Sequence, residues 1–115
     1  MTGECIFCKI VAGEVPGDIV YQDEDFLAFR DILPKAPTHL LIIPKIHIES
    51  VVELADGQPE LAGHLIIIAK SLAEQEGIAS KGYRLVMNCG PEGGQVVPHV
   101  HLHLIGGRQM DASLG

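Results

Sequence analysis

The chain has 115 residues, 47% hydrophobic and 20% charged, with a net charge of −7. That length fits one domain spanning residues 1–115, with an aliphatic core because aromatics are 4% and Trp is absent. The acidic balance excludes a general nucleic-acid surface, which needs clustered Lys and Arg against phosphates. It leaves room for one bound nucleotide, whose phosphate backbone N–H groups can hold.

Residues 5–12 (CIFCKIVA) predict a short helix with Ile6, Ile10 and Phe7 toward the core, ended by Gly13 and Pro16-Gly17. A hairpin follows: strand 18–22, a turn at Asp23-Glu24-Asp25, and strand 26–30 (FLAFR). Pro34 and Pro37 mark a loop. The apolar run 39–43 (HLLII), closed by Pro44, suits a central strand buried on both faces. Ser50 is placed to cap a helical turn over 50–54. The long helix runs from Pro59 to Gln75, with Leu61, Leu65, Ile68 and Leu72 on one stripe. Ile66 and Ile67 widen that stripe and predict a well-covered helix. Strand 83–88, a glycine-rich loop over 89–95 and strand 99–106 complete an α+β domain with a five-stranded, mostly antiparallel sheet.

No apolar run reaches 18 residues, so no membrane span is expected. The opening MTGECIFCKIVAGE carries Glu4 early and lacks a basic leader with a cleavage site, so a cytoplasmic location is expected. Three cysteines in a reducing compartment do not predict a disulfide, and the Cys5-x-x-Cys8 pair points to metal or redox use. Cys89 reads as a filler residue and His64 as a surface histidine.

The stretch 99–105, HVHLHLI, holds three of the six histidines. In a strand, alternate residues share a face about 6.5 Å apart. His99, His101 and His103 would project together, with Val100, Leu102 and Leu104 in the core. Such a face is ordinarily filled by Thr, Ser, Lys and Glu. A three-histidine metal centre competes with an array of nucleophile, proton donor and phosphate ligand. A straight strand would spread the three over about 13 Å, which favours mixed roles. Gly93-Gly94 immediately before the strand lets backbone N–H groups approach an anion, although no GK[ST] follows.

HVHLHLI, together with CIFCKIVAGEVP, FLAFRDILPKAPTHLLIIPKIHI, RLVMNCG and GGQVVPHVHLHLIGGRQM, resembles the histidine-triad (HIT) family nearly end to end. The closing GGRQM resembles its purine nucleoside phosphoramidase branch more than its dinucleoside polyphosphate hydrolases. The resemblance implies a hydrolase that cleaves purine nucleoside 5′-phosphoramidates or acyl-nucleotides through a nucleotidyl-histidine on His101. It implies phosphate or leaving-group contact by His103 and a proton path completed by His39. Asn88 and the backbone of Gly94, Gln95 and Val96 would hold phosphate oxygens, and Asp31 the ribose. Ile6, Phe7, Ile10, Phe29, Ile32 and Leu41 would line the base pocket.

Relatives of this kind often carry a structural Cys2His2 zinc site, which implies zinc at Cys5, Cys8, His47 and His99. They also pair as homodimers with one continuous sheet. The partners implied are AMP- and GMP-type nucleotides, with no nucleic acid and no membrane. Two departures stand out: Val96 replaces a serine of close relatives, and the tail ASLG lacks their tryptophan-containing end. A dinucleoside polyphosphate hydrolase and a nucleotide-binding module of little activity are the alternatives.

Overall fold

A computed structural model describes residues 5–54 and 59–115. Strands β1 (Ile19–Gln22), β2 (Phe26–Arg30), β3 (Thr38–Pro44), β4 (Tyr83–Val86) and β5 (Leu102–Gly106) form one sheet in the order β1-β2-β3-β5-β4. All four pairings are antiparallel. Helices α1 (Ile6–Val11) and α2 (Pro59–Gln75) lie in the expected places, as does a 3-10 turn over Val51–Glu53. Ser50 caps that turn, its Oγ accepting from Val52 N–H at 3.3 Å.

The two faces of the sheet have different covers. Leu40 and Ile42 of β3 and Leu102 and Leu104 of β5 pack with Leu65, Ile68, Ala69, Leu72 and Ala73 of α2. On the other face Leu27, Phe29, Leu41 and Ile43 pack with Phe7 and Ile10 of α1. Every β3 residue is buried, which is why the run reads as continuously apolar rather than alternating. Arg30 grips Glu76, just beyond α2, with two hydrogen bonds of 3.0 and 2.9 Å, tying β2 to the end of that helix.

Three expectations are corrected. Ile6 is 42% exposed, because a six-residue helix buries one narrow face and Phe7 and Ile10 occupy it. Ile66 and Ile67 are 50% and 61% exposed, since they sit about 100° and 200° around α2 from the buried Leu65. The last strand begins at Leu102, and β4 ends at Val86. Before Leu102 the chain leaves the ladder: Val100 N–H donates to the Ile48 carbonyl at 2.7 Å instead of continuing along β3. His99 and His101 therefore do not stand with His103 on one straight strand.

Candidate active site

Strand register brings His39 and His103 together. His103 lies opposite Leu41, two residues along β3 from His39, so both project from the face that α1 partly covers. Their rings meet with His39 Nε2 2.9 Å from His103 Nδ1. Hydrogen bonding decides where the protons sit. Lys35 N–H donates to His39 Nδ1 at 3.1 Å, so the neutral His39 ring carries its proton on Nε2. That N–H donates to His103 Nδ1, which leaves the His103 proton on Nε2. Burial is the main force holding both imidazoles below the ordinary value of about 6.5, and it takes His103 to about 4.

His101 has the opposite tautomer. Its Nδ1 lies 2.7 Å from the carbonyl oxygen of His99, which can only accept, so Nδ1 carries the proton and Nε2 a bare lone pair. Burial again dominates in lowering its basicity, which keeps that lone pair free of a proton near neutrality. The rings of His101 and His103 are 5.0 Å apart, and Phe7 meets His101 edge-on at 5.2 Å. Among the described residues neither outer Nε2 has a partner, and no buried side-chain nitrogen is orphaned. One atom able to attack and one able to donate thus open outward side by side.

The glycine loop is held from inside. Gly94 N–H donates to the Pro91 carbonyl and Gln95 N–H to that of Gly90, with Gly90 and Gly94 at φ of 75° and 80°. The Gln95 side chain staples the loop, accepting from Gly90 N–H and donating to the carbonyls of Glu49 and Val97. Asn88 donates to the Gly93 carbonyl at 2.7 Å. Of the three backbone amides expected to cradle a phosphate, those of Gly94, Gln95 and Val96, only that of Val96 is without an internal partner among the described residues. Val96 is 89% exposed.

The expected apolar pocket divides. Phe7, Ile10, Phe29 and Leu41 pack in one buried cluster, while Ile32 is 90% exposed on the loop after β2. Asp31, on that loop, has Oδ2 3.4 Å from His39 Nε2, while its Oδ1 accepts from Leu33 N–H.

His99 faces a separate centre. Its Nε2–H donates to the Pro44 carbonyl at 2.8 Å, which turns the Nδ1 lone pair toward Cys5 Sγ at 3.4 Å and Cys8 Sγ at 3.5 Å. His47 Nδ1 is 3.2 Å from Cys8 Sγ, and all four donor atoms lie within 4.8 Å of one another. Tetrahedral zinc, with bonds of about 2.0–2.3 Å, separates its ligands by roughly 3.3–3.8 Å. The four residues fit such an ion, and none of the three cysteines is in a disulfide. Burial, ahead of the Cys5 contact, pushes the Cys8 thiol up to about 11, so the thiolate form needs a cation's charge beside it.

Asp31, His39 and His103 also bring donors within 4.8 Å. There, an ion would have to expel the proton that Lys35 N–H keeps on His39 Nε2. That geometry suits proton transfer, and because the His99 ring faces Cys5 and Cys8, the three triad histidines do not converge on one ion.

A HIT domain model matches residues 12–110. The chain is 52% identical over 114 residues to a purine nucleoside phosphoramidase of Escherichia coli (strain K12), covering 99% of this chain and 96% of that protein. It is 50% identical over 108 residues to a 14 kDa zinc-binding protein of Zea mays, covering 92% and 84% respectively. A HIT family hydrolase from Legionella pneumophila Philadelphia 1 superposes with a TM-score of 0.94 at 54% identity, covering 97% of this chain and all of that one. The chain belongs to the HIT family. It is an enzyme of the HIT hydrolase kind, built on the five-stranded antiparallel sheet its relatives share.

Proposed function

We propose that this protein, acting as one HIT domain over its 115 residues, hydrolyses purine nucleoside 5′-phosphoramidates or acyl-nucleotides to the nucleoside monophosphate. The observation that carries this reading is the hydrogen bonding at the inner ring nitrogens, with the His99 carbonyl on His101 Nδ1 and Lys35 N–H on His39 Nδ1, which assigns a bare Nε2 to His101 and a protonated Nε2 to His103, rings 5.0 Å apart. His101 Nε2 attacks the α-phosphorus, and the bond to the leaving nitrogen or acyl oxygen breaks with its electron pair. His103 Nε2–H supplies the leaving group's proton, and His39 Nε2–H stands behind it to reset the relay. Water then attacks the nucleotidyl-histidine, passing one proton to the His103 Nε2 left bare by the first step, and the N–P bond breaks with its electron pair back to His101, releasing the monophosphate.

Val96 N–H and Asn88 serve the phosphate, with Gly94 and Gln95 shaping the loop, and Asp31 takes the ribose hydroxyls. The base lies against the α1 side, where Phe7, Ile10, Phe29 and Leu41 form the apolar wall and Ile6 and Ile32 its exposed rim. The similarity to a purine nucleoside phosphoramidase supports the purine preference. Zinc at Cys5, Cys8, His47 and His99 would close the joint between α1 and the chain before β5, a structural role. Free thiols of this kind suit a reducing, cytoplasmic setting. Exposed Ile66 and Ile67 on α2, and β4 standing at a sheet edge, support a homodimer.

The test is release of AMP from adenosine 5′-phosphoramidate. Turnover by the wild type, lost in His101→Ala and faster than turnover of diadenosine polyphosphates, is expected. No AMP from the wild type, or undiminished turnover in His101→Ala, overturns the reading.

A further inference from the structure

The segment just after the triad returns to the loop that sets the proton relay. Arg108 Nε–H donates to the Lys35 carbonyl at 2.9 Å. The N–H of the same Lys35 donates to His39 Nδ1 at 3.1 Å. Lys35 lies in the irregular connection between β2 and β3, so no ladder hydrogen bond fixes its orientation. A second contact presses the same two segments together. Gly107 has φ +94°, and a Cβ there would come within 3.0 Å of Pro37 Cβ. Glycine is thus required twice over, by its backbone conformation and by the closeness of Pro37.

We propose that Arg108 is a positioning residue for the proton relay, acting through Lys35 on the tautomer of His39. The proposal rests on the hydrolase reading above for its kinetic consequence, and on geometry alone for its structural one. With Lys35 N–H seated on Nδ1, the protons run in one sense: His39 Nε2–H to His103 Nδ1, and His103 Nε2–H outward. If Lys35 swings away, His39 is free to take its proton on Nδ1. His103 Nδ1–H then donates backward to His39 Nε2, and His103 faces the leaving group with a bare lone pair. Strand β5 accordingly supplies both ends of the device, His103 as donor and, just past its end, the arginine that fixes the donor's polarity. Arg108 is itself exposed, so its removal leaves no buried gap.

The experiment compares wild type, Arg108→Ala and Gly107→Ala by long-range proton–nitrogen NMR of the His39 ring, together with steady-state kinetics on adenosine 5′-phosphoramidate. The wild type should show His39 protonated on Nε2 only. Both variants should show a mixed or Nδ1 tautomer, with kcat lowered about tenfold and KM changed less than about twofold, because binding contacts remain. Gly107→Ala lifts the same segment while keeping the guanidinium, so it stands in if Arg108→Ala does not fold. An unchanged His39 signature in the folded variants overturns the proposal, whatever happens to the rate. A wild type with the expected signature but no phosphoramidate turnover would sink the hydrolase reading and leave the positioning role standing.

Discussion

The carbonyl oxygen of His99 lies 2.7 Å from Nδ1 of His101, while the ring of His99 faces away, toward Cys5 and Cys8. One residue therefore serves the proposed nucleophile with its backbone and the thiol cluster with its side chain. The two duties are separable by mutation. His99→Ala keeps the carbonyl, but it strips a fully buried ring and the donor to Pro44, a loss of about 3 kcal/mol or more. His101→Ala removes the lone pair itself. We expect His99→Ala to melt far lower yet retain a measurable kcat below its transition. His101→Ala should lose at least about a thousandfold in kcat with a smaller change in melting temperature. Equal loss of activity in the two folded variants would contradict the division.

Burial of neutral imidazoles predicts acid lability. In the unfolded chain His39 and His103 titrate near the ordinary value of about 6.5. In the fold burial holds both lower, His103 at about 4, with His101 and His39 adding to the effect and Asp31 opposing it. Between those values the unfolded chain binds a proton at His103 that the native state does not, and His39 acts in the same direction. Their contribution to stability is complete above pH 6.5 and is lost as pH falls toward 4. Each group steepens the slope by at most about 1.4 kcal/mol per pH unit. Urea unfolding of chelator-treated protein at pH 7, 5.5 and 4.5 measures it. His103→Asn should flatten the curve, and an unchanged slope in that variant would remove His103 from the account.

The sheet was legible in the sequence because its strands are short, bounded by turn residues, and pass through one fully buried strand, Thr38–Pro44. The pairing of Cys5, Cys8, His47 and His99 was legible only through the family resemblance, since the spacing alone matches no zinc finger. What misled was periodicity. Alternation in HVHLHLI implies one continuous strand, but the His99 ring bonds to the Pro44 carbonyl and Val100 N–H to that of Ile48, and the strand begins only at Leu102. Ile66 and Ile67 read as covered because periodicity counts apolar residues without knowing what faces them. The Gln95 staple and the Arg108–Lys35–His39 chain join residues whose types carry no local signal; only the fold brings them together.

The thiol cluster should behave as a removable joint. The purified protein is expected to carry about one zinc per chain by elemental analysis. Chelation or Cys8→Ala should remove it and lower the melting temperature by several degrees or more, since binding to the native state alone adds stability. Because no donor of the cluster touches the outer nitrogens of His101 or His103, kcat below the transition should fall far less than in His101→Ala. Protein free of metal as purified, with a melting temperature indifferent to chelators, would mean reduced thiols and no ion.

Val96 offers the cleanest view of the phosphate side. Its amide has no internal partner among the described residues, unlike those of Gly94 and Gln95, and the residue is 89% exposed. Val96→Ser buries nothing and uncovers nothing, so stability should stay within about 0.5 kcal/mol. A hydroxyl beside that amide can add one hydrogen bond to a charged phosphate oxygen or to the leaving group, enough for up to about a tenfold gain in kcat/KM. Phosphoramidates with small and bulky leaving amines separate the two sites of action. An equal gain on both assigns the hydroxyl to the phosphate, and a gain on one assigns it to the leaving group. No gain on either would show that the oxygens of the bound nucleotide do not reach this turn, and the anion cradle would then have to be sought at Asn88 instead.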